Sequence, residues 1–144
     1  MRKQYTFKVY PAGMSRSVYR VIQMPGDETL DSLCGVIIES FDFIDEHLYE
    51  FCMDNRMYSD YSYQSDPEYD EPSTNVKLDE LCLAKGQNFS LHYDFGDDWM
   101  FTIHVQKIER STQPVGPMIV KALGEIEQYS MCDDWDDEDD WDDA

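Results

Sequence analysis

The sequence predicts a single α+β domain: a mostly antiparallel, curved sheet with one long amphipathic helix packed on one face and a second, short helix. Three observations carry that expectation. Several segments alternate apolar and polar residues at the strand period. One segment repeats apolar residues at the helical period. The chain of 144 residues, 42% of them apolar and 14% aromatic, is long enough to bury a core without disulfides or metals.

In chain order, residues 4–10 set Tyr5, Phe7 and Val9 against Thr6 and Lys8, the pattern of a half-buried strand. Pro11 and Gly13 break it, and residues 16–24, rich in β-branched and aromatic side chains, predict the returning strand of a hairpin. Then Leu30, Leu33, Cys34, Ile37, Ile38 and Phe41 recur at helical spacing, with Thr29 as N-cap and Asp31 in the first turn, where the helix dipole favours an acid. Residues 48–53 predict a strand.

From 54 to 75 the composition turns to Asp, Ser, Tyr and Pro, which predicts a long, exposed, mobile loop with a short edge strand inside 57–63. Residues 76–87 fit a short helix ending near Gly86. Residues 88–94 and 99–108 predict a hairpin joined by a glycine-containing connection, and 118–129 fit either a strand or a short helix. The domain is expected to span 1–131, with an acidic tail over 132–144 that is expected to be flexible.

Charge is the outlier of the composition. Thirty-one acids against eleven bases give a formal net charge of −20. Nine of the acids fall in residues 133–143, so the chain without them still carries −11. Such a surface repels phosphates, which argues against direct nucleic-acid binding and for a protein partner with a basic surface, including one that itself binds nucleic acid. No apolar run approaches the ~20 residues of a membrane span, no signal-like apolar segment follows the basic start, and the four cysteines form no CxxC pair. A cytoplasmic protein with free thiols and without membrane contact is expected. Cys34 and Cys82 fall on apolar periodicity and are expected in the core.

Two acidic–aromatic segments are the candidate partner-binding elements. In the loop, Tyr58, Tyr61, Tyr63 and Tyr69 interleave with Asp60, Asp66, Glu68 and Asp70; in the tail, Trp135 and Trp141 stand in a run of carboxylates. Carboxylates spaced on a frame can imitate nucleic-acid phosphates, and tryptophan supplies an apolar anchor. A solubilising role is the plainer alternative for both.

The stretch LHYDFGDDW, residues 91–99, poses the question of chemistry. Its acids do not follow the calcium-loop pattern, and the three histidines have no metal-ligand spacing. Neither a phosphate-cradling glycine loop nor a nucleophile elbow is present. The favoured reading is a structural hairpin motif of Tyr93, Asp94, Phe95, Gly96, Asp97 and Trp99. Gly96 would take a positive φ, Asp94 and Asp97 would cap turn N–H groups, and Tyr93 and Trp99 would anchor the strands. No cofactor, metal or catalytic residue is assigned. The alternatives are a metal-dependent enzyme or hydrolase centred on His92, Asp94, Asp97 and His104, with the two histidines meeting across the hairpin, or a small-ligand-binding domain.

The segments PGDETL (Pro25 to Leu30), HLYEF (His47 to Phe51) and YDFGDDW (Tyr93 to Trp99), with the closing MIVKALGEIEQY, resemble the plasmid-Ri ORF-three-like family, also labelled insertion-element passenger TnpR-like proteins. The resemblance covers nearly all of residues 1–130. Two positions depart from the family pattern: Cys34 stands where a histidine is usual, and Met100 and Phe101 follow Trp99 where the family often has Glu and His. The resemblance implies a single α+β domain associated with plasmids and transposable elements, and little about activity. Nothing in the chain resembles a serine recombinase, despite the TnpR label. The expected function is non-catalytic binding of a basic protein, with inhibition by nucleic-acid mimicry as its sharper form.

Overall fold

The computed structural model describes residues 2–44, 48–56, 61–67, 72–95 and 98–126. Its strands are β1 (Arg2–Pro11), β2 (Tyr19–Pro25), β3 (Tyr49–Cys52), β4 (Ser62–Gln64), β5 (Asn88–Tyr93), β6 (Trp99–Ser111) and β7 (Met118–Leu123). They form one antiparallel sheet in the order β4-β3-β5-β6-β1-β2-β7. Two hairpins, β1–β2 and β5–β6, lie side by side through a long β1–β6 ladder, and β3 adds to the outside of β5. The edge at β4 is closed by the chain itself: the Gln64 N–H donates to the Pro72 carbonyl at 2.8 Å, and the Thr74 N–H donates to Gln64 at 3.1 Å.

Alternation decides the faces. Tyr5, Phe7 and Val9 of β1, Ile22 and Met24 of β2, Phe51 of β3, Phe89, Leu91 and Tyr93 of β5, and Phe101, Ile103 and Val105 of β6 are all buried in one cluster. The same cluster takes the stripe of helix α1 (Leu30–Ser40), namely Leu30, Leu33, Cys34, Ile37 and Ile38. Thr29 caps the helix as expected, its hydroxyl accepting from the Ser32 N–H. Asp31 in the first turn accepts from the Tyr49 hydroxyl at 2.6 Å and from the Thr74 hydroxyl, tying the helix to β3 and to the segment before Leu78. From the sheet, the buried Arg20 guanidinium stacks over the Phe41 ring at 4.4 Å and donates to the Ser40 carbonyl at 2.9 Å.

The expected fold class needs correction. The sheet, with seven strands, dominates the molecule, and the fold is not a long helix laid on a curved sheet, although it remains roughly α+β. Helix α1 has only 11 residues, because Asp42 turns to a φ of 62° directly after the cap. The second helix is a four-residue 3-10 turn, Leu78–Leu81, stopped by Cys82 at a φ of 56°. That conformation turns Cys82 outward, so it is exposed rather than a core thiol, whereas Cys34 is buried as expected. Segment 118–123 resolves as a strand, in keeping with its β-branched Ile119 and Val120. The edge strand expected within 57–63 occurs at Ser62–Gln64; 57–60 lie outside the described residues. No helix among the described residues is long and apolar enough to cross a membrane.

Candidate functional site

The face of the sheet turned away from α1 is polar, and its centre holds a buried imidazole. Cross-strand register puts His92 of β5 opposite Glu50 of β3 on one side and Met100 of β6 on the other. His92 Nδ1 lies 2.8 Å from Glu50 Oε2, and Nε2 lies 2.7 Å from Asp98 Oδ1. The His92 side chain is 0% exposed and Glu50 3%, whereas the Asp98 carboxylate is 42% exposed. Behind Glu50, the Gln64 amide donates to Oε1 at 2.8 Å and to the Ser62 hydroxyl at 3.0 Å. The Phe95 ring lies against the imidazole, with centroids 4.9 Å apart.

The local backbone makes this possible. Asp94 and Asp98 both take left-handed conformations, with φ of 65° and 55°, which aspartate tolerates better than most residues. The Asp98 N–H donates to the Asp94 carbonyl at 2.6 Å, and the Asp94 N–H to the Leu48 carbonyl at 3.0 Å. The turn therefore folds back, and its last acid reaches His92 from outside.

An imidazole that faces carboxylate oxygens on both nitrogens donates through both only as imidazolium; otherwise one carboxyl must hold the proton. In either state the three side chains form a clamp that binds the β5–β6 turn to β3. Its outer end, Asp98, is open to solvent; its inner end, Glu50, is sealed. Among the described residues no group of His, Cys, Asp and Glu is arranged to hold a metal ion.

The placement of the sequence-selected residues follows from register. Tyr93 is fully buried, its hydroxyl donating to the Ile44 carbonyl, and Trp99 stacks on Phe101 and meets Phe43 edge-on. Asp94 is buried and makes turn hydrogen bonds through its backbone. Gly96 and Asp97 lie outside the described residues. His104 does not meet His92: it pairs with Asn88, whose side-chain oxygen lies 2.7 Å from its Nδ1.

Of the acidic–aromatic loop, Tyr61 is 56% exposed and Asp66 is exposed, while Tyr63 pairs with Phe51 and packs against the core, where burial raises its hydroxyl pKa. Tyr58, Asp60, Glu68, Tyr69, Asp70, Trp135 and Trp141 lie outside the described residues. Sequence reasoning missed Glu50 and Asp98. Glu50 shows one local signal, its alternation with the apolar Tyr49 and Phe51; Asp98 shows none, because its contact with His92 depends on the left-handed backbone of the turn.

The match to the family model for plasmid pRiA4b ORF-3-like proteins runs over residues 3–137. The chain belongs to that family. Among solved structures, the pRiA4b ORF-3-like domain is similar to a protein of unknown function from Methanosarcina mazei Go1, at 26% identity and a TM-score of 0.67 over 85% of this chain and 70% of that one. No curated protein matches the chain. Within the matched span, the turn between β5 and β6 supplies Asp98, the outer end of the buried clamp.

Proposed function

We propose that this pRiA4b ORF-3-like protein is a non-catalytic, acidic binding module that takes a partner protein with a basic surface. The observation that carries the reading is the charge of −20, of which −11 remains without the residues 133–143. Charge of that size raises the local concentration of cationic partners and rejects phosphate polymers. The hairpin supports the same side of the argument. Its one buried histidine already engages a carboxylate at each nitrogen and has no exposed surface, so it offers a substrate no direct contact. A hydrolase centred on His92 and His104 would need the two rings together, and register separates them.

The sharper form of the proposal is mimicry: carboxylates of the domain and tail occupy the phosphate-binding channel of a nucleic-acid-binding protein encoded by, or hostile to, a mobile element. The test is binding to a panel of basic nucleic-acid-binding proteins across rising salt, with bound nucleic acid as competitor. Affinity is expected to fall steeply as salt rises, because exposed charges are screened beyond about 10 Å at 0.1 M. Absence of binding at low salt, or binding indifferent to neutralised loop and tail acids, would refute it.

A further inference from the structure

On the solvent side of α1 lies an open groove of about 510 Å³, bounded by Gly35, Val36, Glu39, Asp42, Phe43 and, from the loop before β7, Pro117. Two of its features do not strengthen α1. Gly35 sits mid-helix, where glycine costs about 1 kcal/mol relative to alanine. A Cβ at that position would meet nothing within 4 Å, so no internal packing requires the glycine. Glu39 and Asp42 stand at the end of α1, where the helix dipole favours cations, and the last turn has no basic residue. Arg20 supplies a cation there only from the buried sheet side, leaving both exposed acids on the outer side. Choices that weaken an element without repaying it elsewhere concentrate at functional positions.

We propose that this groove is the docking site for a partner segment carrying lysine or arginine next to apolar side chains. Gly35 lets the partner backbone approach the helix closely, Val36 and Pro117 receive its apolar groups over a floor formed by the buried Phe43, and Glu39 and Asp42 hold its cation. Ile44 and Met118, next in sequence to Phe43 and Pro117, are 53% and 44% exposed. Charge complementarity selects the occupant: a second copy carries the same −20, and a nucleic acid is repelled by the same acids. The inference rests on the basic-partner reading and locates it.

The test uses the full chain and two probes: a synthetic amphipathic peptide of leucine and lysine, and poly-lysine. Amide shifts map the site, and fluorescence anisotropy gives the affinity of the parent, of Gly35→Leu and of the Glu39→Gln/Asp42→Asn pair. Gly35→Leu fills the groove from an open helical position, so its thermal midpoint is expected to stay level or rise. The peptide is expected to shift amides within 35–43, and each variant to weaken it by about tenfold. Parent-like affinity in Gly35→Leu, or shifts confined to other surfaces, overturns the groove while leaving the basic-partner reading intact. Failure of both probes to bind at low salt overturns both. Self-association in sedimentation that Gly35→Leu abolishes would make a second copy the occupant and overturn the assigned partner chemistry.

Discussion

Replacing Glu50 with leucine tests whether the buried clamp is a stability element. The Glu50 carboxylate is 3% exposed and accepts or shares two short contacts, with His92 Nδ1 and with the Gln64 amide, both at 2.8 Å. Hydrogen bonds to charged groups contribute about 1.5–3 kcal/mol each, and removing one partner leaves the other buried and unsatisfied at about 1–3 kcal/mol. Gln64 is only half-buried and can turn to water, so most of the loss falls on His92. At an m-value near ~2 kcal/mol/M, Glu50→Leu is expected to lower the urea midpoint by about 1 M. Asp98→Ala removes the other partner, but that carboxylate is 42% exposed and water replaces it, so a loss of about 1 kcal/mol or less is expected. The double variant Glu50→Leu/His92→Leu, with no buried polar group left over, should be more stable than Glu50→Leu alone. Equal losses for Glu50→Leu and Asp98→Ala, or a Glu50→Leu loss below about 1 kcal/mol, would refute the clamp.

Other expectations follow from single contacts. Burial and the hydrogen bonds to Asp79 and Asp31 raise the hydroxyl pKa values of Tyr5 and Tyr49 far above the ordinary ~10. Raised folded-state values mean that their contribution is full below about pH 10 and is lost as pH climbs above it. Thermal midpoints measured from pH 8.5 upward should therefore fall beyond ~10, and less steeply in Tyr5→Phe. Cys82 is exposed at a φ of 56°, so Cys82→Gly should stabilise by about 0.5–1 kcal/mol, read by urea denaturation; a loss would show that the thiol packs. The Thr6 hydroxyl is the one buried side-chain polar atom without a hydrogen-bond partner among the described residues, beside the register shift of β1 against β6. Thr6→Val should be neutral or stabilising by about 1 kcal/mol, and a clear destabilisation would mean that the hydroxyl is satisfied in solution. In a Cys132→Ser background, Cys82 should react with a thiol reagent in the native protein, and Cys34 and Cys52 only on unfolding.

What the sequence determined by itself was local. The period of two in residues 4–10, 88–94 and 99–108 marks strands, and the 30–41 stripe with Thr29 before it marks a capped helix, because both signals depend on neighbours a few residues apart. It also determined the charge and the family, through segments spread from Pro25 to the closing 118–129. Only the tertiary structure decided the rest. Apolar stripes show that elements pack, but not how many strands join the sheet, and with seven strands the sheet rather than the helix dominates the molecule. Positive φ at Asp42, Cys82, Asp94 and Asp98 ends or bends elements at residues that have no glycine to announce it. The clamp depends on Glu50 and His92, 42 residues apart, meeting across β3 and β5. Ladder register is set by the whole sheet, and shifting it by one residue would turn His92 from Glu50 to the opposite face.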